Sequence, residues 1–268
     1  MSAQGDRRSG RSGRPDAGKA DLMALWLAAL ALAAALGFAG AGGAQEITGA
    51  VYDGPTDRYP HGVLGDEIEY DTLTVTLLDG RRVSARWTQS LVFEDIAPRL
   101  SDLDGDGAPE VIAVESHEAR GARLAIWGLD GQGALVQRGA TPFIGQRFRW
   151  LAPVGAADLD GDGTVEIAYV DRPHLAKTLR IWRVAAEADG AGLTLTEVAA
   201  LPGVTNHRIG WDFIAGGLRD CGDGPELITA DGDWRRVMAT AFDGTGYVSR
   251  EIGPYSGPSD LDATLACE

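Results

Sequence analysis

Six aspartates and two glutamates of this 268-residue chain fall into two copies of one pattern. Residues 101 to 112 read SDLDGDGAPEVI and residues 157 to 168 read ADLDGDGTVEIA. Asp102, Asp104 and Asp106 take positions 1, 3 and 5 of a nine-residue loop that ends at Glu110; Asp158, Asp160, Asp162 and Glu166 repeat the arrangement. Four carboxylates about 5 Å apart repel by about 3 kcal/mol per pair at an effective dielectric near 20, so a cation is needed to close such a loop. Many oxygen donors on a glycine-bearing bend suit Ca²⁺ better than the smaller, more rigidly octahedral Mg²⁺. Two calcium ions are therefore expected, with the carbonyls of Ala108 and Thr164 at position 7 completing the shells. An EF-hand would need an acid at position 12 and flanking helices, whereas Ala113 and Tyr169 stand there inside β-type runs.

The elements that must hold these loops are strands. The runs just after them are continuously apolar, VIAV at 111–114 and IAYV at 167–170, with LITA at 227–230 as a third. That pattern marks strands covered on both faces. Asp-Gly pairs at 79–80, 130–131, 189–190 and 243–244 end or follow β-rich runs, as tight hairpins do. The spacing predicts four four-stranded antiparallel units, at about 46–97, 98–150, 151–208 and 209–255, with a tail at 256–268 of helical character. A unit whose inner strands are apolar on both faces must stack on copies of itself, and a β-propeller of about four blades is the radial solution. An open stack or sandwich is the alternative.

At APRLSDLDGDGAPEVIAV (97–114) and APVGAADLDGDGTVEIAYV (152–170) the chain resembles the FG-GAP or VCBS repeats that form propeller blades in integrin alpha subunits. The resemblance implies calcium held, mainly for structure, in the loop joining the first two strands of a blade. It weakens elsewhere. LRDCGDGPELI (218–228) has leucine at position 1 and glycine at position 5, and DGPTDRYPHG (53–62) lacks the spacing.

The surrounding composition narrows the setting. Arg7, Arg8, Arg11, Arg14 and Lys19 precede an apolar run, Leu22 to Phe38, and the small residues Gly42, Gly43 and Ala44. This reads as a signal peptide over 1–44, cleaved near Ala44, for a periplasmic or secreted protein over 45–268 without a permanent membrane anchor. An uncleaved anchor over 24–41 is the alternative, at the lower limit of length for crossing a bilayer. The twin-arginine pattern is weak, and no cysteine follows the run to carry a lipid. The net charge of −15 argues against a nucleic-acid partner. Cys221 and Cys267 are expected to pair in an oxidising compartment.

Strand alternation sends the links opposite the acidic loops to one end. They carry His117, Arg172, His174, His207, Arg208, Asp233, Trp234 and Arg235. Mixed cations and aromatics there suit a protein, peptide or glycan partner of a monomeric chain, and mutual pairing at the seams is the plainer alternative. A hydrolase or lyase drawing on Asp171, His174 or Asp233 is the rival reading. Neither HExxH nor GxSxG occurs in the chain.

Overall fold

The computed structural model describes residues 45–188 and 190–268. The expected leader at 1–44, the alternative anchor within it and Asp189 lie outside those residues. Among the described residues no helix is long and apolar enough to cross a membrane.

Seventeen strands and one helix, joined into three antiparallel sheets, make up Gln45–Glu268. The first sheet contains β1 (Ile47–Thr56), β2 (Glu69–Leu77), β3 (Arg82–Arg86), β4 (Leu91–Phe93), β5 (Arg99–Ser101), β6 (Glu110–His117), β7 (Gly121–Leu129) and β8 (Leu135–Ala140). Within it β1 and β3 flank β2, while β4 and β5 lie in line along one edge of β6, followed by β7 and β8 on the other side. The second sheet is a four-stranded meander of β9 (Leu151–Ala157), β10 (Glu166–Asp171), β11 (Thr178–Ala186) and β12 (Leu193–Pro202). In the third, β13 (Val204–Thr205) and β14 (Gly217–Asp220) share one edge of β15 (Pro225–Asp231), which continues to β16 (Arg236–Phe242) and β17 (Tyr247–Pro254).

Three units thus have the expected four-stranded order, but the first has only β1, β2 and β3, a correction to four equal blades. The unit edges also shift. Leu91–Phe93, inside the first expected unit, bonds to both β2 and β6, and Val204–Thr205, inside the third, bonds to β15. In both places the inner strand is split by an intervening segment, Glu94–Pro98 or Asn206–Gly216. Pro98 has no N–H to give a ladder, so EDIAP breaks β4 from β5.

The continuous apolar runs behave as doubly covered strands. Every residue of β10 is buried, as are all but the last of β6. Each intersheet space has its own core. Leu73 and Val75 of β2 pack with Val111 and Ala113 of β6. Ile112, Val114 and Leu124 pack with Leu151, Ile167 and Tyr169 of the second sheet. Ala168, Val170 and Ile181 meet Val204, Leu227 and Phe242 of the third. Alternate residues of one strand therefore face opposite neighbours, and a period of two supplies two cores at once.

The far face of the third sheet is covered by α1 (Pro258–Leu265), whose Leu261 is fully buried beside Ile228 and Ala239. Pro258 begins the helix where its missing N–H costs nothing, and Asp260 accepts from the Gly257 amide at 3.0 Å. Cys221 and Cys267 form the expected disulfide, joining the β14–β15 turn to the residues just past the helix. Arg219 adds a second tie by donating to the Thr264 carbonyl at 2.9 Å.

The Asp-Gly pairs at 79–80, 130–131 and 243–244 lie in hairpins between consecutive strands, and Gly190 lies between β11 and β12. Gly80 and Gly244 take the left-handed backbone there (φ 83° and 85°), but in the β7–β8 turn Gly133, not Gly131, does so. The long β1–β2 link reaches across the molecule: the Tyr59 hydroxyl accepts from the Phe148 amide at 2.7 Å, and the Val63 carbonyl accepts from Gly210 N at 3.0 Å.

Replacing both cysteines by serine is expected to lower stability by up to about 4 kcal/mol, for a separation of 46 residues on the chain-entropy model. Urea unfolding of the double variant against wild type measures this. No loss would mean that Arg219 and Leu261 alone hold the helix.

Candidate metal centre

Both acidic loops join a first strand to a second, β5 to β6 and β9 to β10. Their internal bonds match closely, the second loop adding one from Asp162 N to Asp158 Oδ1 at 3.1 Å. Asp102 Oδ1 accepts from Gly105 N at 2.8 Å and Oδ2 from Gly107 N at 3.0 Å; Asp158 does the same with Gly161 and Gly163 at 2.8 and 2.9 Å. Asp104 Oδ1 accepts from Asp106 N at 3.3 Å, and Asp160 Oδ1 from Asp162 N at 3.2 Å. The glycines that permit this curl also agree: φ is 76° at Gly105 and Gly161, and 89° and 88° at Gly107 and Gly163. A side chain at these positions would have to adopt the left-handed region.

The closing contact is made by the glutamates. Glu110 Oε2 accepts from Leu103 N and Glu166 Oε2 from Leu159 N, each at 3.0 Å. Leu103 and Leu159 are themselves buried in the cores between sheets. The same carboxylate thus ties the start of the loop to its end and aligns a core leucine.

One carboxylate oxygen from each of Asp102, Asp104 and Glu110 lies within 4.8 Å of the others, and Asp158, Asp160 and Glu166 form an equivalent group. Ca–O bonds of about 2.3–2.6 Å place oxygens across one ion roughly 4.6–5.2 Å apart, so either group fits a single calcium ion. Asp106 and Asp162 do not join the groups. Their Oδ1 atoms accept from the amides of Ala108 and Thr164, each at 2.8 Å. That bond to the Thr164 amide holds Asp162 below the usual carboxylate range. Burial pushes Glu110 up to about 7, opposed by the Leu103 amide and reinforced by Asp104. Glu166 is raised by burial as well, with Arg183 and the Leu159 amide opposing.

Each group is met by an arginine absent from the motif. Arg138 on β8 lies 3.4 Å from Asp104 and 3.5 Å from Glu110. Arg183 on β11 ion-pairs with Asp160, with Asp162 at 3.3 Å and with Glu166 at 2.7 Å. The two come from different strands because Gly128 leaves the space that Arg138 crosses; a Cβ there would stand 3.1 Å from Arg138 Cγ. Arg138 also donates to the Gly190 and Ala191 carbonyls at 2.9 and 3.1 Å, in the β11–β12 turn. At the second loop Gly244 of the β16–β17 turn abuts Asp160 so closely that a Cβ would clash at 2.6 Å. Each acidic loop is therefore capped by an Asp-Gly turn of the next sheet.

The degenerate loop at 218–226 differs as its composition implies. Asp220, Asp223 and Glu226 form no ligand group among the described residues. Arg219 stands where the other loops have a buried leucine, and with Arg250 it neutralises Glu226, each at 2.7 Å.

At the opposite strand ends an acid on the second or third strand of each unit meets an arginine on the next. The pairs are Asp71–Arg86 (2.8 Å), Glu115–Arg123 (2.7 Å), Asp171–Arg180 (3.0 Å) and Asp231–Arg236 (2.8 Å). Arg172 also binds Asp171, at 2.8 Å, so two guanidiniums occupy that acid–base candidate.

The other residues expected to share a face form separate groups. His174 Nε2 meets His207 Nδ1 at 3.0 Å, and Arg208 lies over the Trp234 ring at 4.6 Å. His117 packs on Phe143, while Asp233 and Arg235 are exposed. Burial lowers His174 to about 4 and lowers His207 too. Sequence reasoning missed His61, which lies 2.5 Å from the buried Glu94. Its signal was its place in the β1–β2 link, at the same strand ends as the other three histidines.

A family model described as an FG-GAP-like repeat matches residues 102–169, an interval that holds both intact acidic loops. No curated protein matches the chain significantly.

Glu166→Ala is expected to cost about 3 kcal/mol, because it orphans a buried amide and removes the main partner of Arg183. Glu226→Ala, which orphans no amide, should cost less than half as much. Denaturant unfolding compares them; equal losses would show that the glutamate-to-leucine closure contributes nothing.

Proposed function

From the FG-GAP-like repeat at residues 102–169, we propose that the chain is an exported, β-propeller-like binding domain stabilised by two calcium ions. The observation that carries the reading is the shared closure of the two loops, which present three convergent carboxylates each. Asp102, Asp104 and Glu110 would hold one ion, and Asp158, Asp160 and Glu166 the other. Asp106, Asp162 and the carbonyls of Ala108 and Thr164 would reach them after modest rotation or through water. Calcium there neutralises the acids and fixes the turn against the next sheet. Its role is structural, since acids so held are not free for proton transfer.

Export is supported by the disulfide, a bond that persists in oxidising compartments. The leader-like residues 1–44 agree with it. The partner face is the end bearing His117, His174, His207, Arg208, Asp233, Trp234 and Arg235. A cleft of about 200 Å³ opens there between Phe143, Asp171, Arg172, Arg180, Trp182 and Glu197. Its aromatic walls and paired charges suit a peptide or glycan with polar groups of both kinds.

A second reading is favoured by Arg183, which already neutralises Asp160, Asp162 and Glu166. On that reading the guanidinium closes the loop and calcium is dispensable. Calorimetry of the chain over 45–268 with and without a chelator separates the two. The calcium reading expects a marked fall in melting temperature on chelation, and expects Asp104→Ala to lose one of two bound ions. An unchanged melting temperature on chelation would favour arginine closure, and two ions retained by Asp104→Ala would overturn the ligand assignment.

A further inference from the structure

The fourth histidine belongs to a cluster that the calcium loops do not use. His61 Nδ1 faces Glu94 Oε1 at 2.5 Å, and Ser116 donates to the other oxygen of that fully buried carboxylate. Glu94 is also fixed through its backbone, whose carbonyl accepts from Trp150 Nε1 at 2.7 Å. With Nδ1 donating to the carboxylate, His61 Nε2 is left with its lone pair.

A single carbonyl sets the second imidazole through a third. The Trp211 carbonyl can only accept, so His207 Nε2, 2.9 Å away, carries the proton. His207 Nδ1 is then an acceptor, and His174 Nε2 must donate to it across 3.0 Å. That leaves a lone pair on His174 Nδ1. His207 is fully buried and packs edge-on against Trp150 at 4.9 Å, so the relay is held rigidly. The side-chain hydrogen bonds that fix the two rings run through His61 Nδ1 and His174 Nε2, with a backbone contact from His207 also acting on His174.

Both rings line one cavity of about 30 Å³, between Phe148, Arg149, Trp150 and Arg172. It has room for an ion or a single water and none for an organic ligand. Phe148 stacks on His61 at 4.9 Å, holding the ring plane. Phe148 and Arg172 both take left-handed backbone, φ 57° and 47°, an unfavourable conformation for such residues concentrated at the cavity wall.

We propose that His61 Nε2 and His174 Nδ1 are ligands of a late first-row transition ion of the Zn²⁺ or Cu²⁺ class, a site separate from the calcium loops. Imidazole nitrogens suit those ions and not calcium. The outward N–H of each ring is anchored, on a carboxylate for His61 and on a second imidazole for His174, the outer support that metal-binding histidines ordinarily have. The two protein ligands leave positions open for water or an anion, and the charges of Arg149 and Arg172 favour an anion there. Arg172 is itself balanced by Asp171, and the Glu94 carboxyl stands behind His61, its ionisation opposed by burial and favoured by His61.

The test is a calorimetric titration of the folded chain with ZnCl₂ in excess calcium, which keeps the acidic loops saturated. One zinc ion per chain is expected beyond them. His61→Ala and His174→Ala should each weaken it more than tenfold, and Glu94→Gln by about 10–100-fold. Because substitutions near Glu94 could disturb folding, the wild type is also loaded with Cu²⁺, whose electron paramagnetic resonance should show coupling to two imidazole nitrogens. Absence of a zinc site, equal binding by folded His61→Ala and His174→Ala, or an all-oxygen copper spectrum would overturn the proposal. Tight binding of inorganic phosphate without metal would also overturn it, by assigning the cavity to the two arginines. Scoring by the histidine variants keeps this outcome independent of whether the acidic loops hold calcium.

Discussion

A carboxylate reaching back seven residues to a leucine amide is the contact on which the repeat depends. Glu110 binds Leu103 N and Glu166 binds Leu159 N, both at 3.0 Å. The amide belongs to a leucine buried between sheets, so closing the loop and placing a core side chain are one event. Once closed, the loop points its first two aspartates at the glutamate, and the concentrated negative charge demands a counter-charge. A guanidinium from a later strand supplies part of it, and on the proposed reading a divalent ion would supply the rest. The third sheet illustrates the loss of that leucine. With Arg219 in its place, the loop has its own internal cation and is joined to the chain end by a disulfide.

Neighbouring sheets are registered by the same device. Arg138 reaches from the first loop to the Gly190 and Ala191 carbonyls, and Gly244 lets another turn close over Asp160. At the opposite strand ends the repeated acid–arginine pairs align each sheet internally. Between these two rims the doubly buried strands β6, β10 and β15 supply the apolar cores. The candidate binding groups are thereby displaced to the links and strand ends, where the four histidines, the cleft beside Phe143 and the tryptophans of the third sheet are found.

Local chemistry was legible in the sequence and distant geometry was not. DLDGDG is self-contained: glycines at fixed positions curl the chain, and the first aspartate bonds to amides three and five residues on. VIAV and IAYV announce burial on both faces by their lack of alternation. Cys221 and Cys267 could be paired because only two cysteines exist. The split of β4 from β5 and of β13 from β14 was hidden, since a two- or three-residue strand carries too little pattern to be seen. Arg138 and Arg183 were equally hidden, because each comes from another strand and nothing in DLDGDG specifies it. Of the residues expected to share a face, His174 and His207 do meet, whereas His117 packs elsewhere on Phe143. His61 escaped notice because its segment lacks the acidic motif, although it occupies the same kind of link.

Amide hydrogen exchange at Gly105, Gly107, Gly161 and Gly163 tests the central claim most directly. These four N–H groups donate to Asp102 and Asp158, so they report whether the bends are closed. The account predicts slow exchange in calcium, at least tenfold faster exchange after chelation, and no comparable change at Gly222 and Gly224 in the degenerate loop. Equal exchange with and without calcium at all six glycines would contradict it.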